Sequence, residues 1–136
     1  MTASRSTVAP GGPGVSRASY DGAMSSIFSK IIARDVPATI VAEDDRVIAF
    51  EDIAPKAPVH VLVVPKTEQY QNVTELAAGD PDLLAHVVAT AQRIADERSG
   101  GQYRLVFNTG PGAGQTVFHV HAHVLAGEMD EASLGG

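Results

Sequence analysis

The sequence of 136 residues contains no cysteine and no tryptophan, and only 5% of its residues are aromatic. Without cysteine the chain has no disulfide framework, no thiolate nucleophile and no cysteine-based zinc site. The absence of cysteine fits the reducing conditions of the cytoplasm, where we expect the protein to be located.

Basic residues are also scarce, since 10 Lys and Arg face 16 Asp and Glu, which gives a net charge of -6. This balance argues against nucleic acid or an anionic membrane as the main partner, because both attract basic patches. No apolar run approaches the ~20 residues of a membrane span. The first 23 residues lack the hydrophobic region of a secretory signal. A small anionic ligand remains compatible with the charge, because a local loop can bind it.

The remaining composition is that of one domain with its own core, because 44% of the residues are hydrophobic. We predict a single α+β domain. Residues 1–23 are rich in Ser, Gly, Pro and Ala and bury too little apolar surface to offset chain entropy. They are predicted to be a disordered N-terminal extension, which leaves residues 24–136 as the folded domain.

Local patterns predict the elements of this domain. Helical spacing after Ser26 predicts a short helix that ends before Pro37. Asp80-Pro81 is an acidic cap followed by proline, which predicts the start of the main helix, and Gly100-Gly101 predicts its end. Strands are predicted at residues 39–43, 46–50, 59–64 and 103–107, the first two joined by a turn at Asp44-Asp45.

The segment Val117–Leu125 carries three of the five histidines at two-residue spacing, after a glycine-rich loop at Asn108–Thr116. Read as a strand, it places His119, His121 and His123 on one face. Phe118, Val120, Ala122 and Val124 would then face the core. Imidazoles are costly to align in a core unless each finds a hydrogen-bond partner. The row is therefore predicted to be a functional site.

Two chemistries use several histidines on one strand. In the first they bind a metal, but the ends of this row lie roughly 13 Å apart on a flat strand, so all three cannot bind one ion at ~2 Å. A metal would need two of them and a ligand from elsewhere. In the second chemistry one neutral imidazole attacks an electrophile. Because glycine-rich loops bind anions through backbone N–H groups, phosphorus is the electrophile that this arrangement favours.

The segment from His119 to Leu125 matches the His-x-His-x-His-x-x pattern of the histidine-triad (HIT) superfamily. The rest of the chain resembles its nucleotide-binding (HINT) branch, from about Ile27 to Gly127. The further matching segments, in order, are Ser26-Ile-Phe-Ser-Lys-Ile-Ile, Glu43-Asp-Asp, Phe50-Glu-Asp-Ile-Ala-Pro, Ala57-Pro-Val-His, Val64-Pro-Lys, Asn108 and Gly114-Gln-Thr. The resemblance implies a HIT-like fold, an antiparallel sheet with one main helix and a short N-terminal helix. It also implies a homodimer whose protomers join their sheets.

The resemblance further implies a hydrolase that acts on purine nucleoside 5′-phosphoramidates and aminoacyl adenylates. His121 would attack the α-phosphorus and form a nucleotidyl-histidine, which water converts to a nucleoside monophosphate. His119 and His60 would orient the nucleophile, and His123 would lie beside the phosphate.

The remaining site residues are also assigned by the resemblance. Asp52 would bind the ribose hydroxyls, and the phosphate and leaving group would contact Asn108, Gly114, Gln115 and Thr116. The base would be enclosed by Ile27, Phe28, Ile31, Phe50 and Ile53. No cofactor is expected. Many bacterial relatives hold zinc with Cys-x-x-Cys where this chain has Ser26 and Ser29, so no metal is predicted.

Three alternatives remain open from the sequence. A diadenosine polyphosphate hydrolase would use the same His121 with a wider phosphate channel. A nucleotide-binding regulator would keep the site without catalysis, and a metal-binding strand protein would use the histidines as ligands. Thr116 stands where relatives commonly have serine, and animal relatives have a C-terminal tryptophan that this chain lacks. Both departures bear on substrate selectivity.

Overall fold

A computed structural model of the chain describes residues 26–129. The fold is α+β, as predicted, and comprises three α-helices, one short 3-10 helix (Pro111–Ala113) and five strands among these residues. In chain order they are α1 (Ile27–Ile32), β1 (Ile40–Glu43), β2 (Val47–Glu51), β3 (Val59–Pro65), α2 (Val73–Gly79), α3 (Pro81–Ser99), β4 (Arg104–Val106) and β5 (Ala122–Ala126). The extension predicted over residues 1–23 lies outside the described residues.

The five strands form one antiparallel sheet in the order β1-β2-β3-β5-β4. The run at Val59–Pro65 is the central strand, because its nearly continuous apolar sequence suits burial on both faces. Its register with β5 pairs His60 with Leu125 and Leu62 with His123. His60 and His123 are therefore diagonal neighbours on one face of the sheet.

The opposite face is covered by α2 and α3. Buried residues of β2, β3 and β5 pack there against apolar side chains of α3, including Val87, Ala91 and Ile94. The Asp80 carboxylate accepts a hydrogen bond from the backbone N–H of Leu83, and Gly100 ends the helix at a φ of 63°. The predicted start and end of the main helix are thus confirmed. No helix within residues 26–129 has the length and apolarity needed to cross a membrane.

The prediction of a strand over Val117–Leu125 is wrong in its first half, because β5 begins only at Ala122. Beyond Val63, the partner of Ala122, β3 ends at Pro65, which has no N–H to continue the ladder. The backbone N–H of Val120 instead donates to the carbonyl of Tyr70 at 3.0 Å. The core position predicted for Phe118 is wrong for the same reason, since this side chain is 49% exposed.

Candidate active site

A cavity of about 790 Å³ opens on the face of the sheet opposite α3. Its walls come from α1, residues 36–39, the end of β2 and residues 116–123. The lining residues are Ile27, Phe28, Ile31, Val36, Pro37, Ala38, Thr39, Phe50, Glu51, Asp52, Ile53, Leu62, Thr116, Val117, His121 and His123. The walls are mostly apolar, and their polar members are Thr39, Glu51, Asp52, Thr116, His121 and His123. This is the usual organisation of a small-molecule site.

The hydrogen bonds of His121 determine which of its nitrogens is free. Its Nδ1 lies 2.8 Å from the backbone carbonyl oxygen of His119. A carbonyl oxygen can only accept, so Nδ1 carries the proton and donates. The neutral ring therefore has its lone pair on Nε2, which makes no hydrogen bond within residues 26–129. Burial lowers the pKa of His121 and outweighs the opposing effects of the His119 carbonyl and Asp52. The ring is thereby kept neutral and nucleophilic at pH 7.

His119 is fixed behind the nucleophile and is 2% exposed. Its Nε2 lies 2.7 Å from the carbonyl oxygen of Pro65, and its Nδ1 lies 3.3 Å from the hydroxyl of Ser26. Burial lowers the pKa of this imidazole more than the Pro65 carbonyl and Glu68 raise it. The neutral ring donates from Nε2 and accepts at Nδ1.

His60 and His123 form a second hydrogen-bonded pair. The backbone N–H of Lys56 donates to Nδ1 of His60 at 2.9 Å, so the neutral His60 ring carries its proton on Nε2. That nitrogen lies 2.9 Å from Nδ1 of His123 and 3.3 Å from Oδ2 of Asp52, and both can accept from it. Because its Nδ1 accepts, the neutral ring of His123 has its proton on Nε2.

This N–H of His123 is buried and has no hydrogen-bonding partner among the described residues. Burial, helped by nearby His121 and His60, lowers the pKa of His123 to about 4, which keeps the ring neutral. An unpaired buried donor is costly. Because His123 lines the cavity, a ligand with an acceptor oxygen or nitrogen would satisfy this group.

Asp52, His60 and His123 also bring three potential metal-ligating atoms within 4.8 Å of one another. The hydrogen bonds argue against a cation there. A neutral imidazole has one lone pair, and that of His60 is occupied by the N–H of Lys56. Its Nε2 therefore presents a proton to the centre of the cluster. The prediction of no metal, which was made from the missing cysteines, stays a prediction.

The aromatic ring of Phe28 connects the cavity wall with the histidines. Its centroid lies 4.8 Å from that of His121 and 6.1 Å from that of His119, both in edge-to-face geometry. It also packs edge-on against Phe50 at 5.6 Å. Ile31, one turn further along α1, is buried in the same cluster. The amphipathic spacing of α1 thus directs its apolar side chains to the site rather than to the main core.

The glycine-rich loop is pinned by Gln115, whose side chain is 3% exposed. Its Oε1 accepts from the backbone N–H of Gly110, and its Nε2 donates to the carbonyls of Gln71 and Val117. The amide is thus fully engaged in shaping the loop and does not line the cavity. Gly110 and Gly114 adopt φ angles of 87° and 91°, which disfavour other residues.

The structure brings most of the predicted site residues together. His121, His123, Asp52, Thr116 and all five predicted wall residues line the cavity, although Ile53 lies fully exposed at its rim. His60 and His119 lie directly behind them. The remaining predicted residues, Asn108, Gly114 and Gln115, do not line the cavity. Both N–H groups of the Gln115 amide donate to backbone carbonyls, so this side chain has no donor left for a phosphate.

Several lining residues were missed by the sequence analysis. Leu62 shares its strand face with His60, so alternation along β3 was a signal for it. Residues 36–39 carry no such signal, because an irregular segment after a helix has no periodicity. Val117 was assigned to the strand and lines the cavity because the strand begins later.

Fold and site together define a protein with a mostly apolar cavity on an antiparallel sheet. The cavity is lined by a neutral imidazole whose Nε2 makes no hydrogen bond within residues 26–129. A family model described as the HIT domain matches residues 33–130, about seven-tenths of the chain. The chain therefore belongs to the HIT domain family, and the predicted superfamily and fold are confirmed.

Curated relatives and solved structures agree with this assignment. An uncharacterized HIT-like protein of Synechococcus elongatus is 50% identical over 103 residues, which cover 75% of this chain and 90% of that protein. Adenylylsulfatase HINT1 of Arabidopsis thaliana is 39% identical over 108 residues, covering 76% and 72% respectively. A HIT family hydrolase from Clostridium thermocellum matches with a TM-score of 0.73 at 44% identity, covering 77% of this chain and 93% of that one.

Proposed function

We propose that the protein hydrolyses purine nucleoside 5′-phosphoramidates and related nucleotidyl conjugates, such as aminoacyl adenylates, to a nucleoside monophosphate. The observation that carries this proposal is that His121 and His123 both line the cavity and that each has one ring nitrogen without a hydrogen bond to any part of residues 26–129. Nε2 of His121 offers a lone pair, and Nε2 of His123 offers an N–H. A nucleophile beside an unpaired donor suits an electrophile that bears acceptor oxygens, as an α-phosphoryl group does.

In the first step the lone pair of His121 Nε2 forms a bond with the α-phosphorus, and the bond from phosphorus to the leaving nitrogen or oxygen breaks. The ring gains positive charge as it attacks. Its Nδ1–H, already directed at the His119 carbonyl at 2.8 Å, then becomes a stronger donor. The N–H of His123 donates a hydrogen bond to a phosphoryl oxygen or to the departing atom, and a departing nitrogen takes up a proton from solvent and leaves as the amine.

In the second step a water oxygen attacks the same phosphorus, and the bond to Nε2 of His121 breaks. The products are a nucleoside monophosphate and the regenerated neutral imidazole. The proton released by water leaves with the phosphate or passes to solvent. His121 is therefore the nucleophile of the first step and the leaving group of the second.

The rest of the cavity supports a purine nucleoside as the common part of the substrate. Its volume of about 790 Å³ is within the range of small-ligand sites. Phe28, Ile31 and Phe50 offer an apolar wall for a flat base. One oxygen of Asp52 accepts from the N–H of Ala54 at 2.8 Å, and the carboxylate retains acceptor capacity for ribose hydroxyls.

We also propose a homodimer located in the cytoplasm. The end strands β1 and β4 each leave one edge of the described sheet unpaired, and pairing of such an edge with a second copy would continue the sheet. Sedimentation equilibrium of the purified chain would test this part directly. A monomer at micromolar concentration would contradict it and leave the chemistry of the site untouched.

The experiment that tests the function is a comparison of leaving groups on one adenosine 5′-phosphoryl unit. Initial rates are measured for the phosphoramidate, an aminoacyl adenylate, adenylyl sulfate and a diadenosine polyphosphate. The proposal expects the highest kcat/KM for the phosphoramidate or the aminoacyl adenylate. Faster turnover of the diadenosine polyphosphate would reassign the activity. Tight binding of adenosine monophosphate with no turnover of any conjugate would identify a regulator.

A further inference from the structure

We propose that Ser26 is a positioning residue, whose hydroxyl group fixes the tautomer and ring orientation of His119 and, through the His119 carbonyl, the attacking ring of His121. This inference rests on the proposed function of the same site. Ser26 lies one residue before α1 and would ordinarily be assigned only to helix capping.

The hydrogen bonds around Ser26 have only one consistent set of directions. His119 Nε2 donates to the Pro65 carbonyl at 2.7 Å, so its Nδ1 must accept in the neutral ring. The Ser26 hydroxyl, 3.3 Å from that nitrogen, is therefore the donor. Its two acceptor sites receive the backbone N–H of Ser29 at 3.0 Å and the Ser29 hydroxyl at 3.2 Å. The single proton of Ser26 is thus committed to His119.

His119 is also hydrogen-bonded directly to the nucleophile. The same residue whose ring is held by Ser26 offers its carbonyl to Nδ1–H of His121 at 2.8 Å. Removing the hydroxyl leaves Nδ1 of a residue that is only 2% exposed without a donor. A ring that turns to recover a partner moves the carbonyl that orients His121. Nε2 of His121 then points away from the line of attack.

The groups that act electrostatically on His119 are His121 and Glu68. Replacing Ser26 with aspartate would add a carboxylate at Nδ1 without a proton to donate. An anion there favours the imidazolium and raises the pKa of His119. Aspartate is nevertheless a good helix cap, so it can still accept from the N–H of Ser29. This substitution therefore separates the positioning role from the capping role.

The test compares Ser26→Ala, Ser26→Asp and Ser26→Thr with Asn72→Ala as the matched control. Asn72 caps the similarly short α2 by accepting from the N–H of Glu75 at 2.9 Å. Steady-state kinetics use an adenosine phosphoramidate, and ¹⁵N spectra report the protonated nitrogen of each histidine without substrate. Loss of a buried hydrogen bond that orients the nucleophile should lower kcat by about tenfold, with KM changed less than about twofold.

Both Ser26→Ala and Ser26→Asp are expected to lower kcat and to alter the His119 spectrum. Ser26→Asp should also move the acid limb of the pH profile to higher pH. Ser26→Thr should restore the wild-type values, and Asn72→Ala should lose stability but keep kcat. Wild-type kcat together with an unchanged His119 tautomer in Ser26→Asp would overturn the inference. If the wild type hydrolyses no conjugate, the proposed function fails, while the spectra still decide whether Ser26 fixes His119.

Discussion

The two faces of the sheet are built from the same three strands, β2, β3 and β5, but they have different roles. On one face, alternate residues of β2, β3 and β5 pack against α2 and α3 in a cluster whose most central members are fully buried. On the other face, the intervening residues pack against the six-residue α1 and against Val36, Ala38 and Val117, and a cavity remains beside them. Four of the five histidines lie on or beside this second face.

The difference shows how one strand can supply both stability and chemistry. The α3 face is closed and apolar, so it holds the backbone of β3 and β5 in a fixed register. The cavity face uses that rigidity to present imidazoles whose hydrogen bonds are set by backbone carbonyls and N–H groups. Substitutions on the α3 face should therefore change mainly stability, and substitutions on the cavity face should change mainly turnover.

The largest effect is expected from His121→Asn on the cavity face. Loss of the nucleophile should lower turnover of an adenosine phosphoramidate by at least about 10⁴-fold. Binding of adenosine monophosphate should persist, because the wall and the loop are unchanged. His86→Asn is the matched control, since His86 lies on α3 and pairs with Asp44 at 2.7 Å. Turnover by His121→Asn within tenfold of the wild type would contradict a covalent route through this residue.

On the α3 face, Ile94→Ala should cost about 2–5 kcal/mol of unfolding free energy, because a fully packed side chain is replaced by a cavity. The kcat of the folded fraction should stay within about twofold of the wild type. Val88→Ala on the same helix should cost less than about 1 kcal/mol, because Val88 is 38% exposed. Urea unfolding measures the free energy of unfolding of both variants. Equal losses in the two variants would mean that this face is not the closed core described above.

At the end of β2, Asp52→Ala should weaken binding of ribonucleotides by about 1–3 kcal/mol, the range for losing hydrogen bonds to a charged group. Binding of the corresponding 2′-deoxynucleotide should change much less. Calorimetric titration of the two ligands into both proteins gives the comparison. If both ligands lose the same affinity, the carboxylate acts through His60, which lies 3.3 Å away, and not on the ribose.

The pH dependence should be the smallest effect and should arise on the cavity face. Burial lowers the pKa values of His60, His119, His121 and His123 below the ordinary 6.5. Below pH 6.5 the unfolded chain therefore binds more protons than the folded one, and stability falls as the pH decreases. Above pH 6.5 these imidazoles are neutral in both the folded and the unfolded chain, so they no longer make stability depend on pH.

Urea midpoints measured between pH 7 and pH 4 would show this decline, and it should be weaker in a His60→Gln, His123→Gln double variant. A midpoint that rises on acidification would contradict buried neutral imidazoles. Turnover should persist below pH 6.5 for the same reason, since the lowered pKa of His121 keeps Nε2 unprotonated.

Much of the α3 face could be predicted from the sequence, because its signals are local. Asp80 with Pro81 and the glycine at 100 define the main helix, and the apolar runs identify β2 and β3 as buried strands. The cavity face was predictable mainly through the spacing of the histidines and the family resemblance. Both identify residues, but neither gives the direction of a hydrogen bond.

The errors have a common physical origin in long-range contacts. The strand at residues 117–121 was wrong because Val120 pairs with Tyr70, 50 positions away in the chain. The hydrogen bond between Ser26 and His119 spans 93 positions and has no local signature. The contact of Gln115 with phosphate or leaving group, which the family resemblance implies, stays a prediction. Its side-chain bonds to Gly110, Gln71 and Val117 are likewise contacts that no local pattern indicates.

The central claim is that His121 becomes covalently nucleotidylated at Nε2, and the most direct measurement is mass spectrometry of the intermediate. A slowly hydrolysed adenosine phosphoramidate is mixed with the wild type and with His121→Asn, and each reaction is stopped in alkaline denaturant, because phosphorus–nitrogen bonds to histidine are labile in acid. The account predicts one adenylyl group on the wild-type peptide, located at His121, and none on the variant. An adduct on His119 or His123, or product formation with no adduct and undiminished turnover in His121→Asn, would contradict it.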